Sequence, residues 1–256
     1  EEALRLNISD QDIVVTGFIS VDNANLLSAT TEGTVTASIT TTERVSELTT
    51  LTETTNAYTI VISSEDATAT AEDLISIAEK TTARIDATSV TSISGSYDQV
   101  TTLYGPAVGV DHLGHEAISI SGELTVTQAN VIDGLTAGPI TATIGNSRVS
   151  ELVGGTPLLN PNNNNVYTIV ISSEDAAVSA SDLNAINAAT TVAVDASAVT
   201  SLTHDSISNI STLLTAGNDP NQFTNNSFSK LSSVSVFNAT EYLANHVDLA
   251  NYFSEA

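Results

Sequence analysis

Short runs of alternating apolar and polar residues recur along the whole chain. At 35–39 and 140–144 every second residue is Val, Ala or Ile, and the residues between them are Thr or Ser. Such alternation predicts strands with one buried face, and β-branched residues favour the same conformation. By this criterion we predict strands near 13–16, 35–39, 58–62, 82–93, 118–120, 140–144, 167–171 and 191–202.

Short helical patterns lie between these strands and begin with hydroxyl residues. Thr70 and Ser179 each precede an aspartate by three residues, which resembles a capping box with Asp in place of Glu or Gln. Leu74 and Ile77 follow at the spacing of one buried helical face. The same reasoning predicts helices at 97–103 and 206–214 and weaker ones beginning near Asp22 and Thr127.

The chain contains an internal duplication. The nine residues 58–66 recur letter for letter at 167–175, an offset of 109 residues. Upstream, the sequence Arg-Val-Ser-Glu-Leu at 44–48 returns at 148–152, an offset of 104 residues. The five-residue difference falls at an Asn- and Pro-rich insertion around 160–165, which indicates an enlarged surface loop. We therefore predict two tandem units of about 105 residues.

Strands and short helices at intervals of 21 to 33 residues indicate a repeat architecture. The predicted fold class is α/β: a solenoid-like array of short parallel strands and short helices with leucine-rich-repeat-like geometry. The leucine-rich-repeat consensus itself is missing, so the prediction concerns geometry and not that family. Two globular α+β domains, one for each copy, are the alternative. The predicted organisation is a lead-in at 1–12, repeat units at 13–116 and 117–220, and an aromatic-rich C-terminal cap or linker at 221–256.

The amino-acid composition argues against several classes of function. The chain of 256 residues has 30 acidic and 6 basic residues and a formal net charge of −24, and its basic residues are scattered. Without a basic patch to neutralise phosphates, we expect no nucleic-acid partner. No run approaches about 18 apolar residues, so we expect no membrane insertion. The absence of Cys removes disulfides and thiolate chemistry.

Acidic pairs stand at the same place in both copies. Glu65 and Asp66 follow the strand at 58–62, and Glu174 and Asp175 follow its duplicate. Carboxylates at turns, with nearby Ser and backbone oxygens, can coordinate calcium. A charged turn before a helix cap explains the same residues without an ion. Identical pairs in both copies argue against a glycosidase, which uses two carboxyl groups in distinct roles at one site.

A second, weaker metal candidate lies at the end of the first unit. Asp111, His112 and His115 place two imidazoles beside carboxylates within a few residues. Their spacing matches no metalloprotease pattern, and Gly114 favours a loop. A solvated loop between the units is the alternative. Because the chain also lacks a nucleophile elbow, we expect that it is not an enzyme.

The sequence resembles a known kind of repeat. At 180–200, Ala-x-Asp-Leu-x-x-Ile followed by Thr-Thr-Val-x-Val-Asp-Ala-Ser-Ala-Val-Thr is similar to repeats of very large secreted or cell-surface bacterial proteins, mainly marine cyanobacterial and haemolysin-type. The tail at 237–253 resembles a short module of the same proteins and has the pattern of a capped amphipathic helix. The Gly-Gly-x-Gly-x-Asp repeat of calcium-binding toxins is missing, so that calcium mechanism does not carry over.

The resemblance implies an extracellular structural or adhesive role without catalytic residues. We therefore expect a rigid acidic spacer of a surface layer, filament or adhesin stalk, secreted or at the cell surface. Its expected partners are further copies of itself or neighbouring repeats of the same protein. Similar Thr/Ser/Ala-rich repeats occur in phage fibres and virion appendages, so the alternative is a virion or adhesin module that binds a carbohydrate or receptor, such as a cell-surface glycan. Calcium is the only candidate cofactor.

Overall fold

The computed structural model describes residues 10–145, 148–153, 164–225 and 227–236. The strands within these ranges are β1 Ile13–Ile19, β2 Val35–Ile39, β3 Ala57–Thr59, β4 Thr68–Thr70, β5 Ile85–Asp86, β6 Ser92–Gly95, β7 Val110–Asp111, β8 Ala117–Leu124, β9 Ile140–Ile144, β10 Val166–Thr168, β11 Ala177–Val178, β12 Ser201–Asp205 and β13 Ser233–Val236. The helices are α1 Val21–Ser28, α2 Val45–Leu48, α3 Ala71–Ala78, α4 Tyr97–Leu103, α5 Val126–Asp133, α6 Val149–Val153, α7 Ala180–Ala188 and α8 Ile207–Ala216.

The strands form parallel sheets. β1, β2 and β3 make one sheet in that order, and β11, β12 and β13 make another. β4, β6 and β8 are successive neighbours, β5 pairs with β7, and β9 lies beside β10. Every pair with a defined register in the described ranges is parallel. None of the sheets described closes into a barrel. The prediction of an α/β fold with parallel strands is confirmed.

The chain divides into two compact units. One comprises Glu1–Gly122 with Val131–Thr141, and the other comprises Glu123–Asn130 with Ala142–Ala256. The unit boundaries predicted from the repeat, 13–116 and 117–220, stay predictions. Residues 1–9 of the lead-in and the predicted tail helix at 237–253 lie outside the described residues.

Small aliphatic side chains make the core of both units. β2 buries Val35, Ala37 and Ile39 and leaves the hydroxyl residues between them more exposed. β9 repeats this alternation, and both strands have the predicted bounds. Tyr58 and Tyr167 are among the largest buried side chains, at 1 % and 0 % exposure. The core is therefore mainly aliphatic, with a buried tyrosine at the same place in each copy.

The long strands predicted at 82–93 and 191–202 are wrong. The first is divided into β5 and β6 by a turn in which Asp86 Oδ1 accepts hydrogen bonds from the Thr88 amide and hydroxyl, at 2.9 and 2.5 Å. Asp195 makes the equivalent bond to the amide two residues further on, at 2.9 Å. An aspartate that binds its own turn in this way favours a break over a continuous strand, and the apolar pattern does not reveal it.

The helices are short, and of those described all but α2 and α6 begin at a hydroxyl cap. Thr70 Oγ1 accepts a hydrogen bond from the Asp73 amide at 3.0 Å, and Ser179 makes the same bond in the second copy at 3.0 Å. These predicted caps are confirmed, although Asp73 Oδ2 accepts the Thr70 hydroxyl at 2.7 Å. A two-way capping box forms instead between Ser96 and Gln99. Of the helices described, none has the length and apolar content that crossing a bilayer requires.

Threonine hydroxyls join each of two strands to the segment that follows it. Thr81 Oγ1 accepts a hydrogen bond from the Tyr58 amide and donates one to the Tyr58 carbonyl, both at 2.8 Å. Thr190 makes the same two bonds to Tyr167, at 3.0 and 2.8 Å. One hydroxyl thus binds two backbone groups that lie 23 residues earlier in the chain. We call this pair of bonds the threonine tie.

Replacing Thr81 with Val should destabilise the fold. Valine keeps the shape but removes the hydroxyl, which deprives the buried Tyr58 amide and carbonyl of this partner. An unsatisfied buried polar group costs about 1 to 3 kcal/mol, and each kcal/mol lowers the Tm of a chain of this size by about 2 to 4 °C. Thr81→Ser keeps the hydroxyl and should melt closer to the parent. Equal melting midpoints for the two variants would contradict the tie.

Candidate functional site

The first acidic pair lies in a tight turn after β3. The Asp66 amide donates to the Ser63 carbonyl at 3.0 Å, and the Glu65 amide donates to Ser63 Oγ at 3.3 Å. The turn points both carboxylates toward Arg44, with 2.5 Å between Arg44 Nη2 and Glu65 Oε2 and 3.3 Å between Nη1 and Asp66 Oδ1. Asp66 Oδ2 also accepts the amide of Val45, the first residue of α2, at 2.8 Å.

The second acidic pair repeats these contacts. Asp175 Oδ2 accepts the amide of Val149, the first residue of α6, at 2.8 Å. Arg148 binds the Glu174 carboxylate, and the Glu174 amide donates to Ser172 Oγ at 3.2 Å. The duplicated Arg-Val-Ser-Glu-Leu and Glu-Asp sequences are therefore the two halves of one contact, which we call the arginine–acid contact.

The two carboxylates of each pair have different roles. Arg44 and Glu65 are both substantially exposed, at 45 % and 68 % of their side chains, and exposed ion pairs contribute little stability. The aspartate is the structural member, since its side chain is 15 % exposed and binds an otherwise unpaired amide at a helix start. The glutamate is the member with a carboxylate accessible to solvent.

Two members of the predicted cluster of Asp111, His112 and His115 bind different partners. Asp111 Oδ1 accepts a hydrogen bond from Arg84 Nε at 2.6 Å, which lowers the pKa of its carboxyl below the usual value. His112 Nδ1 lies 2.9 Å from Asp86 Oδ1, at a residue with φ of 66°. Across the described ranges, no three His, Asp or Glu side chains are grouped closely enough to hold a metal ion.

Glu116 is a buried carboxylate whose role the sequence does not reveal. It is 2 % exposed, and Oε2 accepts hydrogen bonds from the Tyr104 hydroxyl at 2.7 Å and the Gly114 amide at 2.8 Å. The amide of His115 adds a longer bond at 3.2 Å. Burial, and then the bond to Glu116, raises the pKa of the Tyr104 phenol. Glu116 therefore holds its loop closed, and the glycine two residues before it is the sequence signal for such a turn.

Asp205 joins the starts of two helices. Its Oδ2 accepts the Ser181 amide of α7 at 2.7 Å, and Oδ1 accepts the Ser206 amide and Asn209 Nδ2 of α8, each at 2.7 Å. Desolvation raises the pKa of Asp205, but the hydrogen bonds from Asn209, Ser181 and Ser206 together outweigh it and lower the pKa to about 2. Like Asp66, this carboxylate binds amides of its own chain.

Comparisons with known proteins supply no relative from which a function can be transferred. No protein-family model, curated protein or solved structure matches the chain. The contacts of the chain itself are therefore the basis on which its function is inferred.

Calcium at the acidic turns is tested by thermal melting in calcium and in chelator. If an ion bridges each turn, calcium should raise the midpoint, because a ligand that binds only the folded state stabilises it. The double variant Glu65→Gln with Glu174→Gln removes the exposed carboxylates and keeps the aspartates that cap α2 and α6. That variant should lose the calcium effect. A parent midpoint that is the same in calcium and chelator would contradict calcium binding.

The stability of the chain should depend on Asp205 in acid. The folded-state pKa of about 2 lies below the unfolded value of about 3.9. The resulting stability is present above the unfolded pKa and is lost as the pH falls through the folded pKa. Asp205→Asn should therefore unfold more easily than the parent at pH 7, with a smaller difference near pH 2. Denaturant unfolding at both pH values measures this, and a difference that does not change with pH would contradict it.

Proposed function

We propose that this chain is an extracellular structural repeat element, an α/β solenoid segment that serves as a rigid acidic spacer in a surface layer, filament or adhesin stalk, without catalytic activity. The observation that carries the proposal is the duplication of two contacts, the threonine tie and the arginine–acid contact. Each appears in both copies, and each joins segments that lie 21 to 26 residues apart. Contacts of this kind hold successive segments of a repeat together.

The order of packing supports a solenoid. Within the first unit α2 packs against α3 and α3 against α4, and within the second unit α6 packs against α7 and α7 against α8. The strands beside these helices pair in parallel. Helices that contact the next helix in sequence, together with strands that pair in parallel, are what a stacked repeat requires.

The charge of the chain fits an extracellular spacer. A net charge of −24 spread over 256 residues keeps copies soluble through mutual repulsion, and it attracts divalent cations. Added salt weakens the repulsion, because the screening length falls to about 8 Å at physiological ionic strength. An acidic spacer can therefore stay soluble in dilute solution and associate where salt or cations are abundant.

The buried aromatic residues do not favour the alternative in which the chain binds a sugar. A lectin-like surface stacks sugars on exposed rings, but the duplicated tyrosines Tyr58 and Tyr167 are 1 % and 0 % exposed. Phe223 is also buried, at 1 %, and its ring centroid lies 5.0 Å from that of Phe228. The rings of Tyr58, Tyr167 and Phe223 therefore lie in the core and offer no stacking platform. A positive signal on a glycan array would nevertheless favour the adhesin alternative over the spacer.

The spacer proposal is tested by assembly of the full chain. Sedimentation velocity and negative-stain electron microscopy should show larger species, with filaments or layers, as protein concentration and ionic strength rise. The physical reason is that salt screens the repulsion between acidic copies. The same protein in low salt is the control and should remain dispersed. Monomers under all conditions, with or without calcium, would contradict the assembly role.

A further inference from the structure

The first strand and helix leave a group of apolar side chains accessible, and four of these align with residues that the duplicate strand and helix bury. We call this surface the β1 face and define it by seven residues: Ile13, Val14, Val15, Phe18, Ile19, Leu26 and Leu27. Val14 and Phe18 are each 71 % exposed, and Leu26 is 64 % exposed. Such a group of apolar side chains on one segment marks a surface that another surface covers.

β8 and α5 are the duplicates of β1 and α1. At an offset of 105 residues Gly17 aligns with Gly122, and both have positive φ, 104° and 90°. Ser20 and Thr125, which bind the amides at the starts of α1 and α5, align at the same offset. Because the strand irregularity and the cap both coincide, the two segments can be compared position by position.

Four side chains of the first strand and helix are more exposed than their duplicates. Ile13, Val15, Ile19 and Leu27 point inward but are only half-buried. Their duplicates are Ile118, Ile120, Leu124 and Ile132, which are 1 %, 8 %, 1 % and 0 % exposed. All eight residues are aliphatic, so residue type does not account for the difference. The difference in exposure comes from the strands that lie beside them.

β6 is the neighbour that β8 has and β1 lacks. β8 pairs in parallel with β6, from Ser92 beside Ala117 to Gly95 beside Ile120. Among the described strands, β1 pairs only with β2. The Ile13 amide donates to the segment of β2, as the duplicate Ile118 amide donates to the segment of β9. The backbone groups on the opposite edge of β1 therefore have the orientation with which β8 binds β6. The unpaired edge of a strand is a template for a further strand.

We propose that the β1 face is an interaction surface and that its partner is another copy of this repeat, which docks the segment equivalent to β6 and α4. This inference rests on the proposed repeat function and names the interface that it uses. The internal junction shows the duplicate strand β8 paired in parallel with β6, and the inward residues of β8 are buried there. The positions of Ser119 and Glu123 are occupied in β1 by Val14 and Phe18, which adds apolar area at the rim.

The test is an internal duplication of residues 12–116 within the full chain, so that Glu116 runs into a second copy of Asp12 as it normally runs into Ala117. Hydrogen exchange followed by mass spectrometry then reports on the two identical copies of β1. Peptides from 12–19 should separate into two equal populations, one that exchanges as fast as in the parent and one as slow as the peptides from 117–124. A single fast population would overturn the proposal, and so would a duplicated chain that fails to fold cooperatively.

A matched variant separates burial from nonspecific stabilisation. Val15→Thr keeps the side-chain shape and adds a hydroxyl, so its effect depends on whether the position is covered. In the parent chain it should lower the melting midpoint slightly, because Val15 is half-buried. In the inner copy of the duplicated chain it should lower the midpoint more, and equal effects would overturn the proposal. Failure here would leave the assembly experiment on the parent chain unaffected, so the interface and the spacer function can fail separately.

Discussion

Small aliphatic side chains are buried in this protein where a neighbouring segment covers them, and most other features follow from that constraint. The core consists mainly of Val, Ile, Leu and Ala, and these short side chains are buried only where another segment lies against them. Parallel pairing with the next strand supplies the cover. β1 shows the constraint directly, because its inward side chains stay half-buried where those of β8 are buried.

Short polar side chains bind backbone groups that lie in the interior. Asn56 is the clearest case: Oδ1 accepts the Val35 amide at 2.8 Å, while Nδ2 donates to Ser28 Oγ and the Tyr58 hydroxyl, each at 2.9 Å. Buried polar groups are costly unless they are paired. The abundance of Thr, Ser and Asn therefore belongs to the same design as the aliphatic core, and the threonine ties are its repeated form.

Features encoded by adjacent residues were predictable from the sequence, whereas contacts between distant residues were not. The duplication, the caps at Thr70 and Ser179, and the bounds of β2 and β9 depend on local patterns. The apolar pattern does not reveal the break after Asp86, because a side chain bound to its own turn leaves that pattern unchanged. Nor does it reveal the contact of Glu65 and Asp66 with Arg44, because that contact depends on strand register. A signal did exist, since both sequence motifs are duplicated together.

The five-residue insertion in the second copy shows what positions the acidic pair. The capping aspartate lies 21 residues after its amide partner in the first copy and 26 in the second, yet both bonds measure 2.8 Å. In general, lengthening a connection by this ratio costs only about 0.2 kcal/mol in closure entropy. Strand register, and not chain separation, therefore sets the contact. A turn that served only to bind an ion would need no matching arginine in the preceding segment. The joint duplication indicates that the acids first hold neighbouring segments in register, and calcium would bind to a turn that arginine already neutralises in part.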